Sequence, residues 1–339
     1  MTRRLRLLPH LAVLAALPCL CPGGEAAPGQ VDYAELSPTA EQAIERGLIY
    51  LAKTQNPDGS WGQTYASAET ALALMAFMLK GQFPKRGVFG NQVEKAVTYL
   101  IRRGIEGKGY LGGPRQGMYE HGLGTLALAE VWGESDHRKE IREVLKQAVE
   151  VILRSQNGAG GWRYGPQPHD ADISVTVMQV VALASAKEAG ILVPDHVFQK
   201  AIKYVRSCQD PGTGGFAYTP GGAPGVARAA GGVLSLMMAG ERNSRNVQRG
   251  LEYLIKGPES KFVSIPHYMY GHYYAIQSMY QAGEDFYQAW YPKIRNVLLQ
   301  RQRSDGCWQG ENGASPALGT AWSILILGVP YRYLPIYQR

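Results

Sequence analysis

Arg46-Gly-Leu-Ile-Tyr-Leu-Ala-Lys-Thr-Gln55-Asn-Pro-Asp-Gly-Ser-Trp61 runs from a helical pattern into a glycine-bearing turn that ends on an aromatic residue. The same order of events returns along the chain. It closes on Gln156-Asn-Gly-Ala-Gly-Gly-Trp162, on Gln209-Asp-Pro-Gly-Thr-Gly-Gly-Phe216 and on Gln302-Arg-Ser-Asp-Gly-Cys-Trp308. Two degenerate copies fill the gaps. Lys95-Ala-Val-Thr-Tyr-Leu100 leads into Gly107-Lys-Gly-Tyr110, and Arg249-Gly-Leu-Glu-Tyr-Leu254 has lost the Gln and Trp. Self-similarity at such periods marks a repeat architecture.

After each copy comes a second, more apolar stretch that ends on glycine: Gly81, Gly133, Gly190, Gly240, Gly283 and Gly328. A closing glycine is the expected left-handed cap of a helix. Each unit therefore reads as helix, turn, helix, and there are six. The first helix is two-faced, with Ile44, Leu48 and Leu51 opposed by Glu41, Glu45 and Lys53; Thr39 and Gln42 suggest its capping box. The second, as in Thr70–Phe77 or Ala321–Leu327, is apolar nearly all round and must be buried on every side. Half-buried helices alternating with buried ones predict two concentric layers: an all-α (α/α)6 toroid. An open solenoid is the alternative.

The 339 residues are 45% hydrophobic and 19% charged, which suits a folded core. Arg3, Arg4 and Arg6 precede an apolar run from Leu7 to Leu20 and small residues up to Ala26. Residues 1–26 thus read as a secretory signal peptide, and the chain as exported to the periplasm or beyond. A retained anchor is the other reading of this run. The single toroid domain is expected over 33–339. Removing the leader lowers the formal charge from +7 to +5, without basic blocks, so nucleic acid binding has no support. No later stretch is long and apolar enough for a transmembrane segment. Of the four cysteines only Cys208 and Cys307 then remain, open to a bridge but no disulfide scaffold.

The Gln…Gly-x-Trp endings resemble the QW repeats of triterpene cyclases and protein prenyltransferase β subunits. More narrowly, Met118-Tyr-Glu-His-Gly-Leu123, Gly160-Gly-Trp-Arg-Tyr-Gly-Pro166 and Tyr331-Arg-Tyr-Leu-Pro-Ile-Tyr337 resemble exported bacterial prenyltransferase/squalene oxidase repeat proteins. The resemblance implies the toroid and a central cavity for a hydrophobic ligand, with terpenoid or lipid binding or cyclisation as the associated activity. It assigns no specific reaction.

In such a ring the inner helices run in parallel, so their N-termini crowd one mouth. The polar residues there are the candidates for a cavity rim: Glu69, Tyr119, Glu120, His169, His267, Tyr270 and His272, with Tyr65, Ser174 and Arg228 beside them. Asp170-Ala-Asp172-Ile-Ser174 is the most pointed feature, with His121 a further catalytic candidate. By resemblance to the Asp-x-Asp-Asp-Thr segment of squalene-hopene cyclases, Asp172 would protonate an alkene. Ile173 breaks that motif, and a helix N-cap explains the same aspartates. No ligand spacing calls for a metal, and no cofactor is implied. Two further readings come from other classes: a carbohydrate ligand cut between paired carboxylates, and a non-catalytic binding toroid.

Overall fold

The computed structural model describes residues 36–332, except 115–116, 168, 258–261 and 312–313. The leader read at 1–26 and the end of the Tyr331–Tyr337 stretch lie outside these residues. The described residues belong to one unit that begins at Tyr33. They form twelve α-helices. The odd-numbered ones are α1 (Pro38–Thr54), α3 (Gly90–Glu106), α5 (Arg138–Ser155), α7 (Asp195–Ser207), α9 (Arg245–Lys256) and α11 (Glu284–Arg301). The even-numbered ones are α2 (Ala66–Leu79), α4 (Gly117–Val131), α6 (Ile173–Glu188), α8 (Val226–Leu236), α10 (Tyr268–Ala282) and α12 (Pro316–Leu327). No described helix is long and apolar enough to cross a membrane.

Even-numbered helices pack side by side in chain order, and α12 packs back on α2, so the inner layer is a closed ring. The open solenoid is thereby excluded. Odd-numbered helices lie outside, each against the inner helices of its own and the preceding unit. Burial follows the sequence pattern: α1 buries one stripe, including Ile44, Leu48 and Leu51, whereas every residue of α2 from Ser67 to Leu79 is buried.

Local details correct three expectations. Helix α1 starts before Thr39: Ser37 caps it, accepting from the Ala40 N–H at 3.2 Å, and Pro38 takes the first turn, where its missing N–H costs nothing. Of the six closing glycines, Gly133 and Gly328 are not left-handed. Gly328 (φ −91°) is small for another reason, since a Cβ there would stand 1.9 Å from Leu79 Cδ2. Cys208 and Cys307 are separate buried thiols.

The third correction concerns the glutamines. Sequence position suggests that each Gln amide satisfies free carbonyls at the end of its own outer helix, but the four side chains instead staple each unit to the next. Gln55 Nε2 donates to the Gly59 and Gln92 carbonyls at 3.0 and 2.9 Å, joining its turn to the first turn of α3. Gln156 does the same to Gly160 and Val197, and Gln209 to Gly214 and Asn246. Gln302 donates to Gly306 and Ala43 at 2.9 and 2.8 Å, tying the last unit to α1. The left-handed glycine of each turn presses against the next outer helix. At Gly160 (φ 101°) a Cβ would lie 2.2 Å from the Lys200 carbonyl oxygen, so no other residue fits. Trp61, Trp162 and Trp308 lock the unit internally. Their indole N–H groups donate to Leu51, Ile152 and Leu298 carbonyls, and their backbone N–H groups to the hydroxyls of Thr70, Thr176 and Thr320 on the inner helix.

Candidate functional site

The N-terminal ends of all six inner helices surround a chamber of about 740 Å³. Ala68, Tyr119, Ser174 and Leu318 line it near the helix starts, and four residues further along each helix Leu72, Leu123, Met178 and Trp322 line it again. Four residues is one helical turn, so these pairs are stacked in depth. The deeper layer is apolar. The outer layer adds polar and aromatic groups to small apolar ones such as Ala68, Ala227 and Leu318: Tyr65, Tyr119, Glu120, Tyr164, Tyr218, Arg228, His267 and Tyr270. Burial pushes the Tyr119, Tyr218 and Tyr270 phenols up, so all three stay protonated.

Each acid at this mouth is committed to a neighbour. Glu120 reaches across from α4 and accepts from the Ser67 N–H at 3.1 Å, capping α2, and from the Gly113 N–H at 2.9 Å. Burial raises its pKa against those bonds. Glu69 packs behind the wall, where it accepts from the Ser315 hydroxyl. Burial raises Glu69 most, that hydrogen bond opposes it, and the Glu120 charge raises it further. Glu311 accepts from the Met269 N–H at 2.8 Å and so caps α10.

Asp172 is fully buried and does not line the chamber. It is the N-cap of α6: Oδ1 accepts from the Val175 N–H at 2.9 Å. Oδ2 accepts from the Tyr218 hydroxyl at 3.0 Å, and Tyr218 is in turn hydrogen-bonded to Tyr164. The Arg163 guanidinium stands 3.6 Å from Oδ2 and lies over both tyrosine rings. Burial still raises the Asp172 pKa, against these hydrogen bonds and the Arg163 charge. Asp172 therefore touches the chamber only through the two tyrosines.

Tyr119, Glu120, His267 and Tyr270 line the chamber, His267 from a left-handed backbone (φ 55°) at the α10 N-cap. Asp170 and His169 are exposed outside it, Asp170 3.5 Å from the Arg163 guanidinium. His121 and His272 are turned away. His121 Nδ1 accepts from the Leu111 N–H and Nε2 bonds the Ala148 carbonyl, so backbone takes both nitrogens. Burial pulls its pKa down to about 4. His272 packs between Phe262 and Trp290. Both lie two residues, about 200°, round their helices from Tyr119 and Tyr270. Sequence reading did not place Tyr164 and Tyr218 at the chamber. Their signal was the repeat itself, since each stands two residues past the turn aromatic, Trp162 or Phe216, in successive units.

This geometry offers hydrogen-bond donors at a mouth and hydrocarbon below it. Among the described residues no group of three His, Cys, Asp or Glu could hold a metal ion.

Comparison with known proteins places the fold in context. A drimenyl diphosphate synthase of Streptomyces showdoensis is 28% identical over 182 residues, 52% of this chain but only 32% of that enzyme's length. The type II terpene cyclase MstE of Scytonema, solved with geranylgeranyl dihydroxybenzoate, superposes with a TM-score of 0.57 at 12% identity, over 88% of this chain and 98% of its own. The α-1,6-mannanase GH76A of Salegentibacter sp. HEL1_6, solved with α-1,6-mannotriose, superposes with a TM-score of 0.63 at 8% identity, over 85% of this chain and 98% of its own. At these identities the structural likeness is one of fold. The Prenyltransferase alpha-alpha toroid domain matches residues 90–262 and 198–317, more than half of the chain. The chain belongs to the prenyltransferase alpha-alpha toroid domain family.

Proposed function

We propose that this protein is an exported toroid that holds an isoprenoid or similar lipid in its central chamber. The carrying observation is the layering of that chamber, with Leu72, Leu123, Met178 and Trp322 one turn below a ring of tyrosines, Glu120, Arg228 and His267. An apolar tail fits the inner layer, and an oxygen-bearing head meets donors at the mouth. The volume is that of an ordinary small-molecule site. The terpenoid neighbours support the same ligand class.

Cyclisation by Asp172 has weaker geometric support than binding. A general acid must lie within hydrogen-bond reach of the atom it protonates. Both Asp172 oxygens face a cap and a tyrosine instead. Its proton would have to pass through Tyr218. The carbohydrate reading draws on the mannanase fold and on the acids Glu69 and Glu120. Those two are held by Ser315 and by backbone amides. The inactive mannanase variants replace two consecutive aspartates, a pair this sequence lacks.

The test is equilibrium binding of tritiated geranylgeraniol, with α-1,6-mannotriose as comparator. Saturable retention of the isoprenoid alcohol, lost when Leu123→Trp fills the inner layer, is expected. Retention of the oligosaccharide alone would sink the proposal. Export is tested separately, by fractionation and by N-terminal sequencing for a cut after Ala26.

A further inference from the structure

The chamber does not end at its rim. A groove of about 600 Å³ adjoins it, and Gly225, Val226, Arg228 and Pro266 line both spaces. One wall of the groove belongs to α9, whose repeat has lost its Gln and Trp and presents Arg249, Glu252, Tyr253 and Lys256 instead. Much of the rest is apolar, with Pro224, Val226, Ile265 and Pro266.

The charges along this path do not cancel. Lys256 and Glu252 answer each other at 3.1 Å, both largely exposed. Arg249 donates only to the Pro211 and Gly212 carbonyls, at 2.6 and 3.3 Å, which leaves its charge unopposed. The nearby acid Asp210 is spent on the Thr213 amide and hydroxyl, each at 2.7 Å. Glu120, the acid that lines the chamber, is spent on the Ser67 and Gly113 amides. Arg228 has no hydrogen bond or ion pair among the described residues. Its guanidinium lies against Gly225, where a Cβ would stand 2.5 Å from Nη2, and Gly225 belongs to both spaces. Burial raises the Tyr253 phenol in the groove, and the Arg228 charge pulls against that rise. An unopposed guanidinium thus stands where chamber and groove meet.

We propose that the chamber ligand is an acidic amphiphile, whose tail lies in the chamber and whose carboxylate or phosphate head is held by Arg228 at the threshold of the groove that Arg249 and Lys256 share. This rests on the chamber being a lipid site and adds the class of the head. Guanidinium N–H groups match the paired oxygens of either anion. A neutral alcohol would leave the charge unanswered, and a sugar would leave the apolar wall uncovered.

The test is equilibrium binding, to the full chain, of three probes that share one tail: geranylgeraniol, geranylgeranoic acid and geranylgeranyl monophosphate. At least one anion is expected to bind about tenfold more tightly than the alcohol, the worth of one hydrogen bond to a charged group, and the tighter of the two names the head. Arg228→Gln is expected to erase that margin, and Arg228→Lys to keep part of it. Lys256→Glu, an exposed change on the groove side, is expected to weaken the anions roughly threefold. Raising salt from about 0.05 to about 0.5 M should narrow the margin in the unaltered chain, a reading that needs no variant to fold. Equal affinity for all three probes, or a margin untouched by Arg228→Gln and by salt, would overturn the proposal and leave the chamber reading standing. Failure of every probe to bind would overturn both.

Discussion

The rim of turns and the chamber mouth lie side by side, yet they are built on opposite principles. At the turns one solution is repeated with the same atoms. Gln55, Gln156, Gln209 and Gln302 each bridge a glycine carbonyl and the next outer helix. At the mouth the described helix starts are capped in several different ways. Helix α2 is capped by Glu120 from α4, α6 by its own Asp172, α10 by Glu311, and α12 by its own Ser315, while Gly225 leaves α8 without a side-chain cap. Repetition holds the ring. Departure from repetition supplies the groups that line the chamber.

That contrast can be broken first at two tryptophans. Trp162 is fully buried and makes two hydrogen bonds within its unit, whereas Trp322 lines the chamber. Trp162→Ala is expected to cost about 3–5 kcal/mol in denaturant unfolding. Trp322→Ala should cost visibly less, because it enlarges an existing space, and should instead weaken the chamber ligand. Equal costs would erase the distinction between scaffold and site.

Acid titration is the next largest effect. His121 has an ordinary pKa of 6.5 when unfolded and about 4 when folded, because burial disfavours its charge. The unfolded chain therefore binds the extra proton first. Stability present above pH 6.5 drains away as pH falls toward 4, by about 3 kcal/mol from this residue. His121→Gln should flatten that slope in urea melts taken across this range.

Ring closure offers a sharper comparison. Gln302→Ala and Gln156→Ala remove the same pair of donated bonds and should each cost about 1–3 kcal/mol, the former also losing the bond that Gln302 accepts from Arg46 on α1. Only the former cuts the seam between the last unit and α1. Hydrogen exchange should accelerate in α1 and α12 for Gln302→Ala, and stay local for Gln156→Ala.

The smallest effect is at Asp172. Asp172→Asn keeps the cap and should cost under about 1 kcal/mol, while Asp172→Ala should cost about 1–2 kcal/mol. The folded pKa of Asp172 is raised, so the folded state favours its proton. The advantage of wild type over Asp172→Asn should thus shrink as pH rises above the ordinary carboxylate range. Loss of ligand binding without loss of stability in Asp172→Asn would instead mark Asp172 as part of the site.

The ring was legible in the sequence because its determinants recur. Gln, Gly and an aromatic in register report a turn that must be made again and again. The site was legible only in height. Reading helix starts found Tyr119, Glu120, His267 and Tyr270, but gave no direction around the helix axis. On helices apolar nearly all round, no face announces which side looks inward. His121 and His272 were counted at the right level on the wrong side. Tyr164 and Tyr218 were passed over because they belong to turns, whose other residues are structural. The role of Asp172 turned on whether its oxygens were free, and that depends on Tyr218, 46 residues away.

The staple from Gln302 to Ala43 has a topological consequence. A linear array of repeats has two terminal units, each with one neighbour missing, and it frays from them. Here the sixth unit holds the first, so every unit has two neighbours and loosening has no privileged place to begin. The same circularity leaves Tyr331 against Glu41 and Lys80, so the two ends of the described chain meet. A short linker joining them, with a new opening cut in an exposed turn such as Gly221–Gly222, should yield a circular permutant that closes into the same ring.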